Sequence, residues 1–490
     1  MSAHKLFISG KWVKSTSHQT FKSYNPATEK IIGTFEAGNQ KDVEKAVAAA
    51  QKSLPFWKNV PAPQRAKILF RLARLLERDK EKLARALTEE MGKIISEARG
   101  DVQEAIDTAE YFAGEGRRLF GHTTPSELRD KAAFTIRQPF GVVGLIAPWN
   151  FPIAIPAWKI CPALVCGNTI VFKPSSDTPR SAIQFVQLLV EAGLPSGVLN
   201  LVTGTGKEVG LSLVKHPEVR MISFTGSRET GKTIVQNAGI KKVGLELGGK
   251  NPIIIMDDAN LELALEGVLF GAFGTTGQRC TATSRIIIHQ KVQKKFEKRL
   301  VNRVRRLKVG NGLLSKTDVG PLINQRALEK VHSYTLLGKQ QGAKLLCGGS
   351  SLKGKGFFYK PTVFTNVKSN MRIAQEEIFG PFLSIIPAKN FAHAIKIANN
   401  VSYGLSASIY TENISFAFKA INEIESGLVY VNSSTIGSEV HLPFGGIKGT
   451  GNGTREAGIE GINEFSETKT IYIDYSDKLQ KAQIDEFKLK

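Results

Sequence analysis

Cysteine is scarce in this chain: 4 of 490 residues, at Cys161, Cys166, Cys280 and Cys347. So few thiols in so long a sequence exclude a disulfide-stapled scaffold and point to a reducing compartment, the cytoplasm. Cys161 and Cys166 have no second pair at zinc-finger spacing, and no metal site is expected. Long hydrophobic runs are missing too. The most apolar region, 142–171, is broken by Pro148, Pro152, Pro156 and Pro162 and carries Lys159, which argues for buried strand, loop and helix rather than a membrane span. Met1-Ser2-Ala3-His4-Lys5 lacks the apolar core of a secretory leader. Acid is short relative to base, with 44 Asp plus Glu against 66 Lys plus Arg and a formal net charge of +22. The densest basic run, 291–308, reads as a helix, because Val292, Phe296, Leu300, Val304 and Leu307 recur at helical spacing beneath the charges. No aromatic residues interleave its lysines and arginines as single-strand binding requires. It is read as a solvated basic face, and neither nucleic acid nor membrane is expected as a partner.

What is present is the composition of a folded α/β protein, 42% hydrophobic and 22% charged. The length exceeds one core, so two or three packed units are expected. Helical patterns at 42–54, 63–91 and 96–120 precede an alternating series. Apolar β-rich runs at 142–146, 169–172, 198–202, 221–224 and 243–247 are separated by helix-like stretches at 155–165, 179–192, 207–215 and 228–238. Alternation at this spacing predicts a parallel, doubly wound sheet. A second series from 252–256 to about 431 predicts another α/β domain. Two segments fit neither: 122–138, and the alternating tail Thr468-Lys469-Thr470-Ile471-Tyr472-Ile473-Asp474-Tyr475. Lone exposed strands invite pairing, so both are expected to find partners.

Four short segments carry chemistry. Gly277-Gln278-Arg279-Cys280-Thr281-Ala282-Thr283 sets a thiol among small residues, and Leu245-Glu246-Leu247-Gly248-Gly249-Lys250-Asn251-Pro252 sets a carboxylate beside a Gly-Gly pair. Thiol and carboxylate are the parts needed for attack on a carbonyl followed by hydrolysis. A cysteine-protease reading needs a histidine partner; His289 lies on a strand-like run and His441 in a loop, neither in a comparable motif. The other two segments are Pro148-Trp149-Asn150-Phe151-Pro152 and Glu376-Glu377-Ile378-Phe379-Gly380-Pro381.

Together, in this order, the four motifs resemble the NAD(P)-dependent aldehyde dehydrogenase superfamily, and the resemblance runs from about Asn25-Pro26 to about Lys469. It implies two doubly wound parallel-sheet domains plus a small oligomerisation sheet. The cofactor-binding domain would take 1–118 and 140–248, the catalytic domain 249–448, and the oligomerisation arm and tail 119–139 and 449–490. A homodimer or homotetramer follows from the same resemblance. It assigns Cys280 as nucleophile, Glu246 as the base for the deacylating water, and the Asn150 amide, with the Cys280 N–H, as oxyanion donors. A glutamate among apolar residues is expected to hold its proton tightly. Arg279, next to the thiol, is expected to lower the thiol's pKa.

For the cofactor, NAD or NADP, the resemblance implies Trp149, Lys173 on the adenosine ribose, Gly226 and Ser227 at the pyrophosphate, Leu247, Glu377 on the nicotinamide ribose, and Phe379. NAD-preferring relatives often carry glutamate where this chain has Ser176. Serine removes its repulsion of a 2′-phosphate, so NADP is expected to be accepted; the alternative is that Ser176 only caps the following helix. For the small-molecule aldehyde, Phe151, Trp158 and Phe444 match the family's aromatic lining, with Thr281 and the loop 433–441 at the mouth. Arg279 and Arg285 offer guanidinium groups to a substrate carboxylate, although Arg279 equally suits a structural pair. Residues 277–285 and His441-Leu442-Pro443-Phe444-Gly445-Gly446 look most like semialdehyde dehydrogenases. The implied function is NAD(P)-dependent oxidation of an ω-semialdehyde acid. Rival expectations are a non-carboxylated aliphatic substrate or an inactive homologue. Intact Glu246 argues against a relative that passes its acyl group to coenzyme A.

Overall fold

Buried apolar runs form the frame, as the sequence pattern predicts. The computed structural model describes residues 3–484; Met1-Ser2 and residues 485–490 of the predicted tail lie outside them. Strands Val142–Ile146 and Thr169–Lys173 are buried at every position, as expected of parallel strands covered on both faces. With Leu199–Leu201, Met221–Thr225 and Lys242–Glu246 they make a parallel sheet, extended at one edge by the antiparallel hairpin Leu6–Ile8 and Lys11–Val13. The chain steps outward from Val142–Ile146 through Thr169–Lys173 to Leu199–Leu201. It then returns to add Met221–Thr225 and Lys242–Glu246 on the other side. That reversal leaves a crevice at the carboxyl ends of Val142–Ile146 and Met221–Thr225, where open α/β sheets bind ligands.

The second sheet runs in the order Thr362–Thr365, Phe382–Ala388, Thr283–His289, Asn251–Ile255, Ser406–Tyr410, Leu428–Val431, all parallel, with Lys344–Cys347 antiparallel at one edge. Glu246 ends the last strand of the first sheet and Asn251 begins a strand of the second. Residues 247–250 therefore bring the carboxyl edge of one sheet to the amino edge of the other, and the motif residues collect at this junction.

The two segments outside the alternating series find each other. Ser466–Asp474 pairs antiparallel with Lys131–Pro139 along its whole length, and Thr123–Pro125 adds the third strand. The predicted helix 63–91 divides into Ala62–Arg78 and Lys80–Met91, with Asp79 off helical geometry (φ −97, ψ 9) and neither Pro nor Gly to mark the break. The basic helix spans Gln290–Val304, with Phe296, Leu300 and Val304 buried as the spacing predicts. Its charged face is less free than expected: Arg299 and Arg303 reach Glu262, and Arg303 lies 2.6 Å from Glu266. Among the described residues, no helix is long and apolar enough to cross a membrane.

Candidate active site

Cys280 lies on a strained loop between helix Leu261–Phe273 and strand Thr283–His289. Thr275 and Thr276 have φ of 50° and 58°, followed by Gly277 at 68°. β-Branched residues pay steric strain there of about 1–3 kcal/mol each, and such strain persists only where surroundings enforce it. They do so here. The Thr275 N–H donates to Glu97 Oε1 at 2.7 Å, and Thr276 Oγ1 donates to the Gly320 carbonyl at 3.1 Å. Fully buried Gln278 accepts from the Ile323 N–H at 2.9 Å and donates to the Pro321 carbonyl at 3.3 Å. A Cβ on Gly277 would sit 2.1 Å from the Gly380 oxygen. Past the thiol, Asn251 Nδ2 donates to the carbonyls of Cys280 (2.7 Å) and Ala282 (3.0 Å). A Cβ on Gly249 would meet the Cys280 carbonyl at 2.4 Å, so the Gly-Gly pair lets the two loops touch.

Asn150, buried in the loop after Val142–Ile146, donates from Nδ2 to the Gln278 carbonyl at 3.1 Å. This fixes the amide beside the Cys280 segment and leaves its second N–H uncommitted. Glu246 is buried, and neither carboxylate oxygen has a hydrogen-bond partner. Burial, then the neighbouring Glu456, pushes its pKa well above the usual carboxylate value. Behind it lies a charged cluster that sequence reading missed. Lys159 Nζ, fully buried, binds Glu456 and donates to Ser223 Oγ at 2.8 Å, and Ser223 donates to Glu464 at 2.9 Å. Lys159 was legible only as a charge inside an apolar run; its partners Ser223 and Glu456 lie 64 and 297 residues further along the chain. The Cys280 thiol is held up by burial and by Glu246 and Glu377. The depression expected from Arg279 is not found: the thiol is raised, and the guanidinium is engaged by Thr275 and Glu97.

Phe151, Ile155, Trp158, Leu247, Arg279, Thr281, Phe444, Glu104 and Glu246 line one cavity of about 110 Å³ around Cys280. Trp158 and Phe444 meet edge to face at 4.9 Å. Phe151 carries Lys93 Nζ 3.6 Å above its ring, with the Arg279 guanidinium carbon 5.1 Å from the centroid. Arg279 serves both sides of the open alternative: it lines the cavity, yet Nε donates to Thr275 Oγ1 at 2.8 Å and a terminal nitrogen lies 3.8 Å from Glu97. Arg285 does not face the cavity. It is fully buried and donates to the carbonyls of Lys250, Ile397 and Ala398 at 2.9–3.1 Å, so the expectation that it meets a substrate carboxylate is corrected. Its side chain lies instead beside Lys250, Ala398 and Tyr403, at a separate pocket.

The remaining motif residues gather at the carboxyl edge of the first sheet. Lys173 is buried there, its ammonium donating to the Pro174 carbonyl at 2.8 Å, and burial lowers its pKa to about 8. Ser176 Oγ donates to the Gly204 carbonyl at 2.8 Å rather than capping the next helix, whose N-cap is Thr178. Gly226 donates to the Glu246 carbonyl at 3.0 Å, and exposed Ser227 caps helix Arg228–Ala238 by accepting from the Thr230 N–H. Gly231 of that helix approaches Leu247 so closely that a Cβ would lie 2.7 Å from it. Glu377 accepts from the Gly249 N–H at 3.0 Å, and a Cβ on Gly248 would strike its carboxylate at 2.4 Å. Phe379, at a left-handed φ of 62°, meets Trp149 edge to face at 5.4 Å.

A strained cysteine loop and a buried unpaired carboxylate at the junction of two α/β sheets make a site suited to nucleophilic attack on a carbonyl followed by hydrolysis. The profile of the aldehyde dehydrogenase family matches residues 12–471, and the chain belongs to that family. It is 44% identical over 474 residues to the alpha-ketoglutaric semialdehyde dehydrogenase of Bacillus subtilis, covering 95% of this chain and 97% of that one. It is 42% identical over 481 residues to retinaldehyde dehydrogenase 3 of Homo sapiens, covering 97% and 93%. Among solved structures, betaine aldehyde dehydrogenase from Staphylococcus aureus in complex with NAD+ superposes with a TM-score of 0.95 at 36% identity, covering 97% and 96%.

Proposed function

We propose that this enzyme oxidises an aldehyde whose far end carries a carboxylate, giving the corresponding acid with NAD or NADP as acceptor. The observation that carries the chemistry is the placement of Cys280 and an unpaired, proton-hungry Glu246 in one cavity with Arg279. Cys280 Sγ attacks the aldehyde carbon as the thiol proton passes to solvent water. The free Asn150 N–H and the Cys280 backbone N–H stabilise the resulting oxyanion, a contribution of about 3–4 kcal/mol per donor. The cofactor, when bound, supplies the two-electron acceptor that turns this adduct into a thioester. Glu246 then takes a proton from water, which attacks the thioester carbon, and the C–S bond breaks to release the acid and restore the thiol.

The carboxyl edge of the first sheet fits a dinucleotide. Ser227 and the N-terminal N–H groups of an 11-residue helix suit a pyrophosphate, and Lys173 and Glu377 suit the two riboses. Ser176 presents a hydroxyl and no carboxylate, which supports acceptance of NADP. The carboxylated substrate is supported by Arg279 in the cavity and by the name of the Bacillus subtilis relative. The aromatic lining favours a second reading, a plain aliphatic aldehyde. The sheet built from Lys131–Pro139 and Ser466–Asp474 suits a role in homo-oligomerisation, as dimer or tetramer, of a cytoplasmic enzyme.

The test is initial-rate cofactor reduction by wild type and Cys280→Ala. The substrates are succinate, 2-oxoglutarate and aminoadipate semialdehydes and propanal, each with NAD and NADP. Activity that depends on Cys280 and concentrates on a carboxylated aldehyde supports the reading; equal efficiency on propanal overturns the carboxylate requirement.

A further inference from the structure

Besides Glu246, the cavity around Cys280 is lined by two carboxylates that the chemistry above leaves unused: Glu456, engaged by Lys159, and Glu104. Glu104, on helix Ile95–Glu115, lines it together with Arg279, Phe151 and Ile155. Its backbone carbonyl accepts from Thr108 Oγ1 at 2.6 Å, but its carboxylate makes no hydrogen bond or ion pair with any described residue. The nearby cations are already engaged. Lys93 pairs with Asp101 at 2.9 Å, both fully buried, and Arg279 is tied to Thr275 and Glu97. Glu104 is half-buried, and a carboxylate that faces a ligand cavity without a protein partner has its hydrogen-bonding capacity left for the ligand or for solvent.

We propose that Glu104 is a specificity-determining residue that sets which charge the far end of the aldehyde carries: ionised, it favours a cationic end; protonated, it admits an anionic one and donates a hydrogen bond to it. The proposal rests on the reading that this cavity receives the aldehyde chain. The charged groups around Glu104 are Asp101 and Asp107 on its own helix, Lys93 on the segment before that helix, and Arg279 on the cysteine loop. Burial, then Asp101, raises its pKa to about 7, with Arg279 and Lys93 opposing. Glu104 therefore changes charge in the working range of pH, and the two classes of substrate respond in opposite directions.

The measurement is kcat/KM for 4-trimethylammoniobutanal and for succinate semialdehyde from pH 6 to 9, taken as a ratio. Ionisations of Cys280, Glu246 and the cofactor site act on both substrates and cancel in it. In wild type the cation-to-anion ratio is expected to rise about tenfold across this range, the scale of one screened charge contact. In Glu104→Gln it is expected to be flat. A wild-type ratio that does not change with pH overturns the proposal without any variant, and so does an unchanged slope in Glu104→Gln. Wild type that oxidises propanal but neither charged aldehyde also overturns it. Propanal oxidation surviving in Cys280→Ala would instead overturn the broader chemistry, so the two failures read out separately.

Discussion

Glu246→Gln divides the reaction at the thioester. The substitution keeps the side chain's shape and removes its ability to take a proton. Loss of a general base costs about 10²–10⁴-fold, and the upper part of that range is expected here. Neither oxygen of Glu246 has another partner; of the nearest carboxylates, Glu456 is paired with Lys159, and Glu464 accepts from Ser223 through one oxygen. Attack by Cys280 and oxidation of the adduct do not use this base. Stopped-flow mixing should therefore show a burst of one reduced cofactor per site followed by a stall. In wild type, burial and Glu456 raise the Glu246 pKa, so hydrolysis should climb with pH through that raised value; in the variant this limb should vanish. Stability supplies an independent reading. A carboxyl group whose folded pKa is raised binds more protons folded than unfolded, so wild type loses stability as pH rises from the usual 4.5 through the raised value. The variant lacks that loss, and its Tm advantage should be absent below pH 4.5 and grow above it. Steady-state turnover within threefold of wild type, or equal loss of burst and steady state, would refute the assignment of Glu246 as the base.

Gly277→Ala puts a methyl group 2.1 Å from the Gly380 oxygen at a left-handed φ. Thermal unfolding should register a loss of roughly 2–4 kcal/mol; an unchanged Tm would mean the cysteine loop relaxes freely. Ser176→Glu should lower kcat/KM with NADP by at least about tenfold through repulsion of the 2′-phosphate while changing NAD little, and equal effects on both cofactors would remove Ser176 from cofactor choice. Arg285→Met leaves three buried carbonyls without their donor, a loss of about 3 kcal/mol in chemical denaturation. Its preference for succinate semialdehyde over propanal should nevertheless match wild type, since Arg285 does not reach the cavity.

The strands of the first sheet were legible because a parallel strand covered on both faces must be apolar throughout, and runs such as 142–146 announce that condition locally. Helix Arg228–Ala238 was legible for the same kind of reason, being amphipathic and bracketed by Ser227 and Gly239. The break at Asp79 carries no proline or glycine, and nothing local marks it; the fold of 63–91 is settled by what its two halves pack against. Residues of the site divide in the same way. Cys280, Glu246 and Asn150 sit in glycine- and proline-rich segments whose backbone demands show in the sequence itself. Arg285 was misread because a guanidinium in a strand looks like a ligand group until one sees that the Lys250, Ile397 and Ala398 carbonyls surround it. Glu104 was passed over because a glutamate on an amphipathic helix reads as a surface residue. Lys159, Glu456 and Glu464 meet only when helix Ala154–Cys166 packs against the chain's carboxyl-terminal part. Local strain and local periodicity thus place the reacting atoms, whereas the charges that tune them come together only through tertiary packing. The proton affinity of Glu246 is a property of the assembled junction between the two sheets, and no single motif contains it.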